Sequence, residues 1–450
     1  MVIFLKVIQV ILALSILVLV HEFGHFFFAR LFKIKVEKFY LFFDAGFALF
    51  RWKPKNSDTE YGIGWLPFGG YCKIAGMVDE SLDDKEKEQL KQEPQPYEFR
   101  AHPAWQRFFV LFGGVFFNVI LAIIVYSGIF YTNGESYIKN SDITTGLAVN
   151  DLGEELGFRN GDKIISLDNK HIETLNDLRI NLITDKAKTA QVEREGEIIN
   201  INIDEKYFPA ILNSADLFDY GIPFVVDSIP DDSHNFNSEM KKGDKIVAVE
   251  VVSQDTSWVE TPIFTQVKNL FAQHKGEQIR VKLQRGEEEI ITPLQIDTAG
   301  LVGVYMDAVL EHFYKITKRE YTLLQAIPAG LKHTGEQIAS YWKQLKLIFT
   351  PKTKAYKSVG SFIAIGSIFP SSWDWLTFWS ITAFLSIMLA VLNILPIPAL
   401  DGGHILFTLY EMITGRKVNE KVMIVAQYIG MALLLLLMVY ALGNDLFRFL

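Results

Sequence analysis

Two histidines and a glutamate lie inside a long apolar segment near the start of the chain, in the run Val18-Leu-Val-His21-Glu22-Phe-Gly-His25. On a helix, His21 and His25 share one face with Cβ atoms roughly 6 Å apart, so both imidazoles can bind one zinc ion. Glu22 lies about 100° further round the helix axis, where its carboxylate can accept a proton from a water molecule at the metal. The HExxH spacing therefore predicts a metal-dependent hydrolase.

Chance is the alternative for so short a motif, and its position in the sequence argues against chance. His21 and His25 lie within apolar sequence that runs from Phe4 to Phe32. An ionisable group at membrane depth is costly and is rarely retained without a function. The position therefore favours a metal site inside the membrane.

Apolar residues make up half of the 450-residue chain and are concentrated in a few blocks. Four blocks reach the roughly 20 apolar residues that can span a bilayer. They are Phe4–Phe32, Phe108–Tyr131, Leu376–Leu395 and Val422–Leu442. The first block is too long for the apolar core of a signal peptide and has no small-residue cleavage site, so we expect it to remain as a membrane helix.

Charge and cysteine content exclude two further features. The net charge of −8 and the scattered basic residues give no basis for nucleic-acid binding. The single cysteine, Cys72, excludes an intrachain disulfide bond.

Lysine and arginine residues are dense beside particular ends of the apolar blocks. They follow the first block, precede the second, and lie between the third and fourth: Arg30, Lys33, Lys35, Lys38, Arg51, Lys53, Lys55, Arg100, Arg107, Arg416, Lys417 and Lys421. Basic loops face the cytoplasm, so both termini and the large middle region are expected on the opposite side. His21 lies about 12 residues from this basic flank, or roughly 18 Å, which places the site in the cytoplasmic half of the membrane.

The segment Phe39–Gly76 is aromatic and rich in glycine. Two strand-like runs, Phe39–Phe50 and Tyr61–Tyr71, are separated by the polar stretch Lys53–Thr59. The pattern predicts a hairpin or small sheet at the membrane surface near the site, whose edge could add a strand to an extended substrate. Plain packing against the first membrane helix is the alternative. The charged stretch Glu80–Glu98 is expected to form a surface loop or short helix.

The middle of the chain contains an internal repeat. Gly157-Phe-Arg-Asn-Gly-Asp-Lys-Ile-Ile-Ser-Leu167 matches Met240-Lys-Lys-Gly-Asp-Lys-Ile-Val-Ala-Val249. Each copy predicts a Gly-Asp turn, a strand, a helix (Leu175–Thr184 or Phe264–His274) and a strand hairpin. Two long copies indicate two similar small α+β domains, because solenoids use shorter and more numerous repeats.

Two segments between the repeats and the third block carry weaker patterns. Glu311–Phe349 has apolar residues at helical spacing, which predicts an amphipathic helix on the outer membrane surface that could break at Pro328. Val359–Phe369 is apolar but too short to span, so we expect a re-entrant or interfacial piece.

A third metal ligand is needed, because catalytic zinc sites usually have three protein ligands. The strongest candidate is Asp401, in the run Leu392-Asn-Ile-Leu-Pro-Ile-Pro-Ala-Leu-Asp-Gly-Gly-His404. Pro396 and Pro398 cannot continue the third helix, so Asp401 is expected on an irregular stretch on the same side of the membrane as His21. His404 is a rival ligand. The other alternative is that Asp401 only caps a turn.

These motifs together resemble the site-2 protease family, and within it the RseP-type membrane zinc metalloproteases of bacteria. The resemblance rests on HEFGH in the first block, NILPIPALDGG after the third, and the duplicated region between membrane segments. It implies intramembrane proteolysis, with His21, His25 and Asp401 as zinc ligands and Glu22 as the general base.

The resemblance also has implications for the other elements. It implies that the repeats are tandem PDZ domains facing the periplasm, and that Phe39–Gly76 is a membrane-associated β-region. It further implies that Asn118, in the run Gly114-Val-Phe-Phe-Asn118, and Asn393 contact the substrate backbone. Hydrogen bonding between the protein's own helices is the alternative for both. Two positions depart from the family pattern, since Val115 and Ser361 stand where proline is usual.

The expected fold class is therefore a multi-pass α-helical membrane protein with four transmembrane helices, a membrane-associated β-region and two α+β PDZ-like domains. The expected division of the chain is 1–132 (two membrane helices and the hairpin), 133–220 and 221–308 (PDZ-like domains), 309–370 (amphipathic surface helices) and 371–450 (two membrane helices).

The predicted function is that of an intramembrane zinc metalloendopeptidase of the bacterial inner membrane. The expected substrates are transmembrane proteins, first an anti-sigma factor already cut on its outer side and second signal-peptide remnants. The alternative is a non-catalytic membrane adaptor that binds partners through its PDZ pair. A channel or transporter is disfavoured because the membrane segments show no repeat.

Overall fold

We analysed a computed structural model of the chain, which describes residues 2–77, 92–214, 217–252, 256–348, 350 and 360–449. Its helices, in chain order, are α1 (Val2–Leu31), α2 (Ala104–Asn133), α3 (Asp151–Glu155), α4 (Leu175–Thr184), α5 (Phe208–Asn213), α6 (Phe264–Gln273), α7 (Leu323–Ile348), α8 (Phe362–Ile368), α9 (Trp375–Asn393), α10 (Asp401–Thr414) and α11 (Glu420–Phe449).

The strands fall into two stretches of the chain. They are β1 (Val36–Trp52), β2 (Glu60–Ile74), β3 (Glu135–Ile138), β4 (Leu147–Val149), β5 (Lys163–Leu167), β6 (Lys170–His171), β7 (Thr189–Arg194), β8 (Glu197–Asn202), β9 (Phe218–Tyr220), β10 (Phe224–Ser228), β11 (Lys245–Val252), β12 (Thr256–Glu260), β13 (Gln278–Arg285), β14 (Glu288–Gln295), β15 (Tyr305–Met306) and β16 (Ile316–Arg319).

Four helices are long and apolar enough to cross a membrane, namely α1, α2, α9 and α11. They coincide with the four predicted blocks, so this part of the expected fold is confirmed. Helix α9 ends at Asn393, three residues before Pro396, because proline can neither donate to the helix ladder nor fit its interior. The described residues form two compact units. One is Glu135–Arg319, and the other contains the membrane helices, the β1–β2 sheet, α7, α8 and α10.

Helices α1 and α2 cross at glycines. A Cβ atom on Gly24 would lie 2.2 Å from the carbonyl oxygen of Gly113, and one on Gly113 would lie 2.4 Å from the carbonyl oxygen of Gly24. No side chain fits at such distances, so only glycine allows the two backbones to approach this closely. Because Gly24 lies between Glu22 and His25, the crossing places the metal-binding face of α1 directly against α2.

The predicted aromatic hairpin is confirmed as the antiparallel pair β1 and β2. Both strands fold back on themselves, so residues 60–64 pair with 38–41 on one side and with 48–52 on the other. Residues 70–74 pair with 36–41 and form one outer edge of the sheet. Among the described residues, no further strand pairs with this edge. The result is a strongly curved sheet that packs against α1. Positive φ angles at Phe42 and Gly46 accompany the bends.

Helix α7 differs from the predicted surface helix in two ways. It begins at Leu323 rather than near Glu311, because Ile316–Arg319 forms strand β16 and pairs with β3. It also continues through Pro328 without a break. Packing against α2 and α9 accounts for this continuity; the Tyr126 ring, for example, lies 4.6 Å from that of His333.

Two further predicted segments, the apolar stretch 359–369 and the charged stretch 80–98, lie partly outside the described residues. Within the apolar segment 359–369, Phe362–Ile368 forms the short helix α8. Residues 351–359 lie outside the described part of the chain. So do residues 78–91, which contain most of the expected charged loop.

The unit Glu135–Arg319 contains the two repeats, with elements in the same order. The first has strands β4 to β9 around α4, and the second has β10 to β15 around α6. Each repeat packs its helix and strands around its own apolar core, with Phe158 and Leu178 in the first and Phe271 and Val281 in the second. The two segments that match in sequence thus have a similar order of strands and helix, and their assignment as two similar domains stays a prediction. The observed helix Leu175–Thr184 has the same first and last residues as the helix predicted from the sequence.

Each repeat buries the aspartate of its Gly-Asp turn against an arginine at its strand hairpin. Arg194 Nε lies 2.7 Å from Asp162 Oδ1, and Arg194 Nη2 lies 2.8 Å from Oδ2. Arg285 makes the same two contacts with Asp244, both at 2.7 Å. Both aspartates are fully buried, and a buried carboxylate requires such a partner. The ion pair explains why both copies contain the Gly-Asp turn and the arginine.

This pairing lowers the pKa of Asp244. Burial alone would raise that pKa, but hydrogen bonds from the Arg285 guanidinium and the Lys241 backbone N–H outweigh burial, so the pKa lies below its ordinary 3.8. A group whose pKa falls on folding stabilises the protein above pH 3.8, and that stabilisation is lost as the pH falls further. The ion pair therefore contributes to stability at neutral pH.

We expect Asp244→Asn to destabilise the second repeat selectively, because it leaves the Arg285 guanidinium without its anion. In the full chain at pH 7, hydrogen–deuterium exchange should rise in β11 and β13 but not in β5 and β7. The melting temperature of the unit should fall by about 5 °C or more. Asp162→Asn is the matched control, and in this variant exchange should rise in β5 and β7 but not in β11 and β13. Unchanged exchange in both variants would contradict a stabilising role for the pair.

Candidate metal centre

Three potential ligand atoms from distant parts of the chain meet beside α2. The Nε2 atoms of His21 and His25 lie 3.1 Å and 3.5 Å from Asp401 Oδ2, and 3.2 Å from each other. A tetrahedral zinc ion with bonds of about 2.0–2.1 Å places neighbouring ligand atoms about 3.3 Å apart. The three separations therefore fit one zinc ion. Among the described residues, this is the one group of three or more His, Cys, Asp or Glu side chains that could bind a metal.

Helix α1 supplies the two histidines from adjacent turns. Their rings lie edge to face with centroids 4.8 Å apart, and both side chains are almost fully buried. Since i and i+4 positions stack along one face of a helix, the HExxH spacing alone gives this arrangement. His21 and His25 therefore lie as the sequence predicted.

Asp401 is the first residue of α10, whereas the sequence predicted an irregular stretch at this point. The irregular stretch is shorter, from Ile394 to Leu400, and α10 begins immediately after it. The two glycines after Asp401 permit this turn. A Cβ atom on Gly402 would lie 2.0 Å from the Leu395 carbonyl oxygen, and one on Gly403 would lie 2.7 Å from that of Ile397. The Asp-Gly-Gly sequence thus folds the chain back so that the carboxylate faces α1.

Helix α2 contacts Nδ1 of each imidazole, which is the ring nitrogen that does not face Asp401. His25 Nδ1 lies 2.8 Å from the backbone oxygen of Val110, and His21 Nδ1 lies 3.1 Å from the side-chain amide of Asn118. Gly114 lies between these two contacts. A Cβ atom there would lie 2.5 Å from His21 and 2.6 Å from His25, so any larger residue would displace both rings.

Glu22 lines a cavity of about 580 Å³ together with His21, His25 and Asp401. Strand β2 forms part of the same wall, with Gly70, Tyr71, Cys72, Lys73 and Ile74. The backbone N–H of Cys72 donates a hydrogen bond to the Glu22 carboxylate, which orients that group beside the three ligands. The cavity is large enough to admit water and part of a peptide chain to the site.

The other predicted site residues also lie close to the centre. Asn393, the last residue of α9, lies 3.4 Å from His21 Nε2. Asn118 is completely buried, and Asn393 is 9% exposed. Neither asparagine is among the described residues that line the cavity. His404, the rival ligand, lines the cavity but does not belong to the group of three ligand atoms.

The two positions that depart from the family pattern have different surroundings. Val115 is buried within α2, which continues through it without interruption. Ser361 is the N-cap of α8, and its backbone N–H and hydroxyl both donate to the carboxylate of Asp445 on α11, at 2.8 Å and 2.5 Å. Proline lacks an N–H and a hydroxyl, so it could make neither bond.

Sequence reasoning missed Val110 and Gly113 as parts of the centre, and named Gly114 only as the start of the run that ends at Asn118. A backbone carbonyl carries no sequence signal, since every residue has one. The adjacent glycines in an apolar membrane helix were the available signal, because small residues mark close helix crossings.

Comparison with known proteins agrees with this geometry. Residues 9–437 match the family model of Peptidase family M50. A protein of Xylella fastidiosa (strain 9a5c) named "Putative zinc metalloprotease" is 28% identical over 458 residues, which cover 97% of each chain. The "Regulator of sigma E protease" of Haemophilus influenzae is 27% identical, with 97% of this chain and 98% of that protein covered.

A third relative, from Clostridium perfringens, also has a name that refers to a zinc metalloprotease. It is 26% identical over 446 residues and covers 98% of both chains. Zinc, which the names of the Xylella fastidiosa and Clostridium perfringens relatives contain, fits the separations of the three candidate ligand atoms. Because the family model extends over nearly the whole chain, from α1 to α11, this protein belongs to peptidase family M50, the site-2 protease family.

Proposed function

We propose that this protein is an intramembrane zinc endopeptidase, which hydrolyses peptide bonds in or near the transmembrane segments of other proteins. The observation that carries the proposal is the meeting of His21 and His25, on the membrane helix α1, with Asp401 at the start of α10, and with Glu22 beside them in a cavity. The three ligands leave a fourth tetrahedral position free, as catalytic zinc sites require.

His21, His25 and Asp401 would hold the zinc ion, which when bound supplies the Lewis acidity that activates water and polarises a carbonyl group. Glu22 then accepts the proton of the attacking water as general base. After attack on the peptide carbonyl, the protonated Glu22 returns that proton to the departing nitrogen. The hydrogen bond from the Cys72 backbone N–H holds the Glu22 carboxylate in place for both transfers.

A transmembrane helix hides its carbonyl groups in its own hydrogen bonds, so a substrate must unwind before cleavage. We propose that residues 70–74 of β2 receive the unwound segment as an added strand. These residues form the outer edge of the curved sheet and line the cavity. Edge strands bind extended peptides through backbone hydrogen bonds. Asn393, at the end of α9 and 3.4 Å from His21, is the proposed side-chain contact to the substrate backbone.

The two repeats are the proposed PDZ-like domains, at 133–220 and 221–308. In this proposal they lie on the periplasmic side of a bacterial inner membrane and restrict which proteins reach the site. The basic loops beside the membrane helices support this orientation. The proposed substrate is an anti-sigma factor already cut on its outer side, with signal-peptide remnants second. The name of the Haemophilus influenzae relative, a regulator of sigma E, supports this order.

Replacement of Glu22 by glutamine tests the catalytic step. We expect Glu22→Gln to lower cleavage of a membrane-spanning reporter by at least about 100-fold, because an amide cannot act as general base. Zinc content and the melting temperature should stay at wild-type values. Cleavage is measured with purified protein and reporter in detergent or liposomes.

The same experiment distinguishes the enzyme from a non-catalytic adaptor. Normal cleavage by Glu22→Gln would refute the proposed base. Absence of cleavage by the zinc-loaded wild-type chain, over a panel of membrane-spanning reporters, would instead favour the adaptor.

Replacement of Asp401 tests the metal centre itself. We expect Asp401→Ala to weaken zinc binding by at least 100-fold (~3 kcal/mol), because two imidazoles alone leave the tetrahedral site incomplete. Metal content is measured by elemental analysis after dialysis against a chelator. His404→Ala is the control and should retain one zinc ion per chain. Loss of zinc in His404→Ala together with retention of zinc in Asp401→Ala would instead identify His404 as the third ligand.

A further inference from the structure

We propose that Asn118 is a positioning residue for the metal centre, whose amide oxygen accepts a hydrogen bond from His21 Nδ1–H. This inference rests on the zinc site of the proposed function. It gives Asn118 a role that differs from the contact with the substrate backbone implied by the family resemblance.

The first step concerns which nitrogen of His21 can carry a proton. A neutral imidazole has one N–H and one lone pair. His21 Nε2 is the nitrogen that lies 3.1 Å from Asp401 Oδ2 and 3.2 Å from His25 Nε2, so its lone pair must face the metal. The proton is then on Nδ1, which becomes a donor and needs an acceptor.

The second step concerns the group that faces Nδ1. The side-chain amide of Asn118 lies 3.1 Å from Nδ1, and this asparagine is completely buried. With the amide NH2 towards the ring, two donors would meet once the metal is bound. The Asn118 oxygen would also remain buried without a hydrogen-bond partner among the described residues. A rotation of the amide by 180° replaces the two facing donors with one hydrogen bond, from the His21 Nδ1–H to the Asn118 oxygen, and turns the NH2 group to the side where the oxygen had no partner.

The second histidine shows the same arrangement with a different acceptor. His25 Nδ1 lies 2.8 Å from the Val110 carbonyl oxygen, which can only accept, so His25 carries its proton on Nδ1 and turns the lone pair of Nε2 towards the metal. Val110 and Asn118 both belong to α2, with Gly114 halfway between them. Helix α2 thus presents one acceptor to each metal-binding ring.

Two further observations separate Asn118 from the substrate. Its exposed fraction is zero, whereas that of Asn393 is 9%. Its backbone oxygen accepts a hydrogen bond from the Ser386 hydroxyl of α9 at 2.8 Å. Asn118 is therefore fixed between α1 and α9, where it reaches a ligand but not a bound peptide.

The test compares zinc binding by Asn118→Leu and Asn118→Asp in the full-length protein. Leucine has nearly the same shape but no acceptor, whereas aspartate has two acceptors and no N–H. We expect Asn118→Leu to weaken zinc affinity by about 10- to 100-fold, the usual effect of removing a partner of a metal-binding histidine. Asn118→Asp should bind zinc within about threefold of wild type.

Zinc affinity is measured by competition with a chelator, without substrate. The absorption spectrum of the Co²⁺-loaded protein reports the ligand geometry and should change in Asn118→Leu but not in Asn118→Asp. Asn393→Leu is the matched control, because that asparagine also lies beside His21 but is assigned to the substrate. It should retain wild-type zinc affinity and raise KM for the reporter. Thermal unfolding of the metal-free variants shows whether each one folds.

Two results would overturn the inference. Wild-type zinc affinity in folded Asn118→Leu, with a raised KM, would assign Asn118 to the substrate. Loss of zinc binding in folded Asn118→Asp would show that the Asn118 amide donates to His21 rather than accepting from it. If Asn118→Leu does not fold, Asn118→Asp alone decides whether Asn118 is an acceptor. Zinc affinity is measured without cleavage, so these measurements stay valid even if the protein is not a protease. Failure of the proposed proteolysis would be seen separately, as absent cleavage by the zinc-loaded wild type.

Discussion

Three atoms that carry lone pairs are held within 3.5 Å of one another in a part of the chain that is almost entirely apolar. Two imidazole nitrogens and a carboxylate oxygen in such surroundings repel each other's electron density and lose most of their hydration. A cation between them removes both costs, because it accepts all three lone pairs. The membrane-helix unit is arranged around this requirement. Its glycines and the end of its third membrane helix at Asn393 allow His21, His25 and Asp401 to meet, and its curved sheet lines the cavity beside them.

Helix α2 contributes to the centre without supplying a ligand. Its glycines allow α1 to approach, the Val110 carbonyl contacts one imidazole, and the Asn118 amide contacts the other. The first two contributions depend on backbone atoms and on the absence of side chains. An inspection of side-chain chemistry alone would therefore assign the centre to α1 and α10 and overlook the helix that orients both histidines.

Patterns that depend on local sequence could be predicted well. The four membrane helices and the aromatic hairpin follow from apolar length and alternation, and each is present. The two similar domains that self-similarity predicts stay a prediction. The meeting of the three candidate ligands could also be predicted, because HExxH places His21 and His25 on one helix and the topology brings Asp401 to the same side. Their role as zinc ligands stays a prediction. The helix start at Asp401 was missed because the preceding prolines indicate only where α9 ends.

Features that depend on tertiary packing could not be predicted. The strand Ile316–Arg319 occupies sequence with helical spacing because its partner, Glu135–Ile138, lies almost 180 residues earlier in the chain. The passage of α7 through Pro328 depends on contacts with α2 and α9, which the local sequence does not contain. The double pairing of β1 and β2 likewise depends on where each strand bends.

The glycine crossing of α1 and α2 has a consequence for protein engineering. At Gly24, Gly113 and Gly114 even a methyl group would meet backbone or ring atoms. A transplanted HEFGH sequence would therefore be inert in a foreign membrane helix that lacked this neighbour, even with a carboxylate nearby. The smallest portable unit of the centre is therefore the α1–α2 pair together with the turn that carries Asp401.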